Sequence, residues 1–221
     1  MEKRIEYIEF DEVKKIYKAE KDKSTKLAIL LGFGSGLRIS EIIGLEKEIS
    51  PCCKAEVITE RRKLTGKTLK FKVCSNCKKD VKQSEIKRKK GEWLIPPLTK
   101  DKVDLVKHQI RIDLAKGGKW RVTVTPPALE ESMLSLLPIN IPRRTLQDRF
   151  CRLTKKTLGK RMSFHILRHG FGNYQVNVLH VPLPIVQQLM GHSRLDTTGI
   201  YTKANPEFAI QQSWKAMNGG K

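Results

Sequence analysis

Acidic side chains are scarce in this sequence: 23 Asp and Glu stand against 44 Lys and Arg in 221 residues, a formal charge of +21. A surplus this large on a foldable chain points to a polyanionic partner, nucleic acid first, although charge alone does not say whether that partner is cut, carried or regulated. No stretch approaches the roughly 18 to 20 consecutive apolar residues that cross a bilayer. The first residues, MEKRIEYIEFDEVKK, lack the apolar core of a secretory leader. A soluble, cytoplasmic protein without membrane contact is therefore expected. Neither an internal repeat nor a long low-complexity tract is present. Hydrophobic residues still make up 39%, enough for a core and too many for a disordered tail. Cysteine is sparse as well, yet four of the five fall within 26 residues: Cys52, Cys53, Cys74 and Cys77, with Cys151 apart. In a chain without secretory features that clustering favours metal ligation over a disulfide framework.

The apolar spacing predicts helices over 11–21, which is amphipathic, and 24–35, which reads as buried. Ser24 and Thr25 suit the N-cap region of the second. Gly34 and Gly36 break the path, and a helical pattern resumes from Leu37 through LRISEIIGLEKE. Residues 50–92 then turn rich in Lys, Arg and Cys and poor in large apolar residues, closed by the proline pair of IPPLTK at 95–100; this is an inserted module within the 1–221 domain. Two strands, VKHQIRIDL and KWRVTVT, flank the hairpin turn AKGGK. From Pro127 onward the pattern is helical, with breaks at Pro138, Pro142, Gly159, Pro182, Pro184, Gly191 and Pro206. The expected fold class is mainly α with a small antiparallel β-sheet.

Three separated segments carry residue types suited to one chemistry. GLRISEIIGL at 36–45 places Arg38 and Glu41 on one helix face. SFHILRHGFGNY at 163–174 sets His165 and Arg168 a helical turn apart, with His169 adjacent. In LMGHSRLDTTGIYTK at 189–203, His192 precedes Tyr201 by nine residues. Phosphodiester transfer needs such a set. Two guanidiniums clamp the non-bridging oxygens of a phosphate whose charge grows toward the transition state, which Lys does less well. Imidazoles donate to those oxygens or move a proton. A phenol is a poor nucleophile until cations surround it. Taken singly, Arg38 could form an ordinary ion pair, His165 and Arg168 a solvated helix face, and Tyr201 a core aromatic. The joint order is harder to obtain by chance.

That order resembles the tyrosine recombinase family of phage integrases and Xer-like and Cre-like enzymes, over residues 11–49 and 100–217. The family's TGLRISELLxL box is matched around Arg38, with Glu41 in a position that resembles a structural partner. Its HxLRH box is matched by HILRH, and its LLGHSxxxTTxxYT box by LMGHSRLDTTGIYT. The resemblance therefore implies Arg38, His165, Arg168 and His192 around the phosphate, and Tyr201 as nucleophile. Its catalytic lysine lies in a hairpin reading close to GKGNKERxVP, which aligns with AKGGKWRVTV and implies Lys116, with Lys119 in reserve. The implied activity is cofactor-independent cleavage and rejoining of double-stranded DNA attachment sites by a homo-oligomer, dimer to tetramer, on DNA. Type IB topoisomerases share the chemistry but match these boxes less well. A non-catalytic DNA-binding regulator would have no need of all six catalytic residues. Two departures stand out: the 221 residues match the family's catalytic part, its DNA-embracing N-terminal domain falling upstream of the match, and residues 46–100 interrupt a link that is usually short.

The insertion reads as zinc-ribbon-like. CSNC at 74–77 has the spacing that lets two thiolates converge on one ion. The other half is irregular, since Ser50 stands where a usual knuckle would have its first cysteine, leaving SPCC. Cys53, Cys74 and Cys77 are the expected ligands of a structural zinc, with Cys52 the fourth; a metal-free basic loop, or a protein-docking element, is the alternative. The run KRKK at 87–90 could be a solvated edge or a phosphate contact.

Overall fold

The computed structural model describes residues 7–64, 67–115, 119–191 and 206–218. They form two compact units: Met1–Ile43 together with Pro97–Lys221, and Gly44–Pro96 between them in sequence. None of the described helices is long and apolar enough to cross a membrane.

Helix α1, Phe10–Ala19, starts in a reciprocal capping box in which Glu9 and Glu12 each satisfy the other's backbone amide, and it buries Val13 and Ile16. Helix α2, Lys23–Gly34, is capped by Asp22 rather than by Ser24 or Thr25. The Asp22 carboxylate accepts from the Thr25 amide at 2.8 Å and its hydroxyl at 2.6 Å. Apolar on nearly every side, α2 is buried through Leu27, Ala28, Ile29, Leu31 and Phe33. The chain leaves it through Gly36, whose φ of +63° favours glycine, and where a Cβ would meet the Phe171 ring at 2.5 Å.

Helix α3 spans only Ile39–Ile43. The helical pattern expected to run on through LEKE stops at Gly44, at φ +83°, and Leu45–Ile49 is strand β1 instead. Within the Gly44–Pro96 unit, β1 pairs antiparallel with β4, Lys87–Ile95, so that Leu45 stands opposite Ile95. Between them β2, Val57–Leu64, and β3, Lys67–Cys74, form a second antiparallel ribbon. The unit thus extends beyond 50–92 on both sides, because its first and last strands pair and bring its two ends together. In the other unit the Leu98 amide donates to the Ile42 carbonyl at 3.2 Å, so the chain resumes close to where it left.

A three-stranded antiparallel sheet follows, with order β5 (Val103–Asp104), β6 (Gln109–Ala115) and β7 (Lys119–Val124). Strand β6 begins later than expected. Asp104 accepts from the Lys107 amide at 2.8 Å and His108 takes φ +54°, making a turn of residues read as strand. The rest is helical: α4 (Glu131–Leu134), α5 (Arg143–Leu158), α6 (Ile166–Asn173), α7 (Leu183–Met190) and α8 (Pro206–Met217). A single wide helical turn at Tyr174–Val178 continues α6.

Two apolar clusters hold this unit. The larger joins α1 and α2 to Leu146, Phe150, Phe164 and Leu167 of the helical region; the smaller gathers Val124, Phe171, Ile185, Val186, Leu189 and Ile210. Helix α6, which carries the candidate Arg168, contributes Phe171 to this second cluster, and Arg38 immediately precedes α3.

Candidate active site

Glu41 organises the site. Its side chain is fully buried, and one carboxylate oxygen accepts from the Arg38 guanidinium at 2.7 Å. The other accepts from the Arg38 amide at 2.7 Å, a reach back across the first helical turn. That second oxygen also takes a bond from Arg121 Nη2 at 2.7 Å. Burial by itself would raise the Glu41 pKa; Arg121, the Arg38 amide and the charges of Arg38 and Arg168 outweigh it and hold the carboxyl below its ordinary range.

Arg168, 2% exposed, extends from α6 and donates Nη1 to the Gly36 carbonyl at 2.5 Å and Nη2 to the Met190 carbonyl. Arg121 donates Nη1 to the neighbouring Leu189 carbonyl. Two guanidiniums therefore grip the C-terminal carbonyls of α7, where the helix dipole is negative. Gly191, at φ +63°, ends that helix and is the last described residue before His192; a Cβ there would run into Arg121 Cδ. Burial, followed by the charges of Arg121 and Arg38, pulls the Arg168 pKa down to about 9, and burial likewise lowers that of Arg121. Arg121 Nε has no hydrogen-bond partner among the described residues. Three guanidiniums around one carboxylate leave two positive charges in excess, with Arg38 the most accessible at 20% side-chain exposure. An anion engaging Arg38 would offset that excess.

The structure thus brings Arg38, Glu41 and Arg168 together. His165 and His169 are exposed on the first turn of the α6 region, their rings edge to face at 4.7 Å. Lys116, His192 and Tyr201 lie outside the described residues, as does the side chain of Lys119. Arg121 is the residue that sequence reasoning missed. Alternation along KWRVTV suggests that the apolar Trp120, Val122 and Val124 face inward. Val122 and Val124 do pack with the second cluster, but Trp120 is 68% exposed, and Arg121 and Thr123 of the opposite parity are buried as well. Thr123 donates to the Ser35 carbonyl at 2.8 Å, so the strand is covered on both faces at this end. The one signal was the arginine of the hairpin box, which falls on 121.

In the Gly44–Pro96 unit the sulfurs of Cys52, Cys53, Cys74 and Cys77 all lie within 4.8 Å of one another. Ligands of a tetrahedral zinc with bonds of ~2.3 Å sit about 3.8 Å apart, so the set fits such an ion. The adjacent Cys52 and Cys53 sit in a turn closed by the Ser50 amide on the Ala55 carbonyl at 2.8 Å, with Lys54 at φ +53°. Ser50, which replaces a cysteine in the expected knuckle, is buried and donates to Cys74 Sγ at 3.2 Å. That hydroxyl, with the Cys77 and Asn76 amides, holds the Cys74 thiol down to about 6, whereas sharing a proton with Cys77 pushes Cys53 up to about 12. A thiolate supported by outer donors is suited to a cation.

A family model described as the phage integrase family matches residues 6–207. The chain belongs to that family. It is 28% identical over 192 residues to the tyrosine recombinase XerD of Chlamydia trachomatis serovar D, covering 86% of this chain and 52% of that protein. To the tyrosine recombinase XerA of Pyrococcus horikoshii it is 27% identical over 214 residues, 93% of this chain and 59% of the other. The chain spans about half the length of the curated relatives it matches. Among solved structures, an integrase from mycobacterium phage Brujita superposes with a TM-score of 0.55 at 17% identity, covering 96% of this chain and 58% of that one. A XerA recombinase crystal structure gives 0.51 at 18% identity over 97% and 66%. At these identities the likeness concerns the fold.

Proposed function

We propose that this chain is the catalytic domain of a site-specific DNA recombinase that cuts and rejoins duplex DNA through a 3′-phosphotyrosyl bond at Tyr201. The observation that carries the reading is the cluster of Arg38, Arg121 and Arg168 around the buried Glu41, with its two surplus positive charges, in a chain of the phage integrase family. The Tyr201 oxygen attacks the scissile phosphorus, its proton moving with help from His165, and the bond to the 5′-oxygen breaks. Lys116, with Lys119 the alternative across the turn, gives that oxygen a proton. Arg38, Arg168 and His192 stabilise the charge on the phosphorane. Attack by a 5′-hydroxyl reverses the sequence and rejoins the strand. One phosphodiester is exchanged for another, so no nucleotide is consumed, and the guanidiniums supply the charge that a catalytic metal would otherwise provide. The substrate is a pair of duplex attachment sites held by a dimer to tetramer of the chain.

The test is covalent trapping on a nicked suicide duplex carrying a candidate attachment site, from which the 5′-hydroxyl fragment diffuses away. A denaturing gel should show a protein–DNA adduct, and peptide mapping should place the DNA on Tyr201. Absence of adduct on every candidate site would remove the recombinase reading.

The four cysteines are proposed to hold one structural zinc, with Cys52 a full ligand. Protein purified without added zinc should return about one equivalent of metal. Chelation should open new protease cleavage between Cys53 and Cys77 while adduct formation continues, since the proposed catalytic residues lie outside the Gly44–Pro96 unit. Metal-free protein, with Cys74→Ser equally protease-resistant, would remove the zinc. Loss of adducts on chelation would instead give the unit a role in placing DNA.

A further inference from the structure

We propose that one face of the β2–β3 ribbon, carried by Arg61, Lys63 and Lys70, binds the phosphate backbone of duplex DNA; this rests on the reading of the chain as a DNA recombinase and extends it to the inserted unit. The ribbon pairs without interruption from Val57 opposite Cys74 to Leu64 opposite Lys67. Eight residues per strand give a length of roughly 26 Å. Its root is anchored where Val57, Val73 and Cys74 are buried, and Cys74 belongs to the thiol cluster.

Strand alternation sorts the side chains into two faces. On one, Arg62 lies 5.0 Å over the Phe71 ring and pairs with Asp80 at 2.8 Å and Glu60 at 3.3 Å. That cation is answered within the unit. The other face presents Thr59, Arg61 and Lys63 beside Lys72, Lys70 and Thr68, with no acid among them. Lys72 is taken by Glu48 at 2.7 Å. Arg61, Lys63 and Lys70 are exposed and have no ion-pair partner among the described residues.

Arg61 and Lys70 stand directly opposite one another. Like charges so placed repel and destabilise a ribbon, and a polyanion laid across them removes the penalty. The run KRKK at 87–90 differs, since Lys89 pairs with Glu92 and Arg88 stands opposite Glu48. Neighbouring cations on the ribbon face lie roughly 6.6 Å apart along a strand and about 4.8 Å across strands, a density matched by a nucleic-acid backbone. A two-stranded ribbon fits the major groove of B-DNA, and the threonine hydroxyls add donors of the kind that phosphates accept.

The test is the salt dependence of affinity, by fluorescence anisotropy, of the full chain for a labelled duplex of random sequence. Each phosphate contact contributes about 0.9 to the slope of log K against log salt, so R61Q/K63Q/K70Q should reduce its magnitude by about 2.7. The equal-charge control K87Q/R88Q/K90Q should reduce it by less than ~1. Lys70→Gln alone, the mildest change, should lower it by about 0.9 and guards against a misfolded triple variant. An unchanged slope in the ribbon variants, or an equal fall in the control, overturns the proposal. So would lost binding to polyglutamate with duplex binding intact, which would make the partner an acidic protein. Adduct formation by the wild-type chain on the suicide duplex is read separately. Its absence, with the ribbon slopes as expected, sinks the recombinase reading and leaves the ribbon; its presence with flat slopes does the reverse.

Discussion

Tyr201→Phe should form no covalent adduct on a nicked suicide duplex, while its affinity for the same duplex stays within about twofold of wild type, because many cations share the phosphate contacts. The substitution removes one hydroxyl, the proposed nucleophile, and preserves the ring. With 44 Lys and Arg on the chain, one phenol contributes little to holding DNA. The separation of the two readouts makes the experiment decisive. Loss of both adduct and affinity would mean that Tyr201 serves DNA binding or folding. A wild-type yield of adduct would move the nucleophile elsewhere. Tyr174, the other tyrosine near the second arginine in sequence, is a poor substitute, since its ring packs against Phe10 at 4.9 Å and Phe33 at 5.7 Å in an aromatic cluster.

The helices around the site were legible in the sequence through their apolar spacing and the glycines that end them. The all-round apolarity of α2 announces its burial, and Gly159 and Gly191 end α5 and α7 at positive φ. LEKE at 45–48 was misleading for a physical reason. Glu, Lys and Leu favour helix locally, but Leu45 and Glu46 find their partners at Ile95 and Trp93, and no local pattern announces a pairing across nearly fifty residues. The β2–β3 ribbon was hidden in the same way: in a segment legible only as rich in Lys and Arg, ERRK and KTLKFK do not announce the register that sets Arg62 on one face and Arg61, Lys63 and Lys70 on the other. Arg38, Glu41 and Arg168 were found as residue types in order. Their common carboxylate, and Arg121 as its third arginine, are tertiary facts.

That geometry makes the two sequence-predicted arginines unequal in how they fail. Arg38→Lys and Arg168→Lys should each slow single-turnover cleavage by roughly 10²–10³, the typical loss when one oriented donor to a developing charge is removed. Lysine keeps the charge but lacks the planar fork. Arg38, partly exposed, keeps its backbone bond to Glu41 whatever its side chain, so Arg38→Lys should unfold close to wild type. Arg168 is buried and divides its two Nη groups between the Gly36 and Met190 carbonyls. An ammonium offers a single nitrogen in place of that two-nitrogen fork. Arg168→Lys should therefore lose about 1–3 kcal/mol of stability as well, the cost of leaving a buried acceptor unpaired. It should also loosen the C-terminal end of α7, from which the chain continues to His192. Urea unfolding and amide exchange at Leu189 and Met190, measured beside the cleavage rate, separate the two effects. Cleavage within tenfold of wild type would remove that arginine from the site. A slow Arg168→Lys with unchanged stability and exchange would leave its chemical role standing and end its role in holding α7.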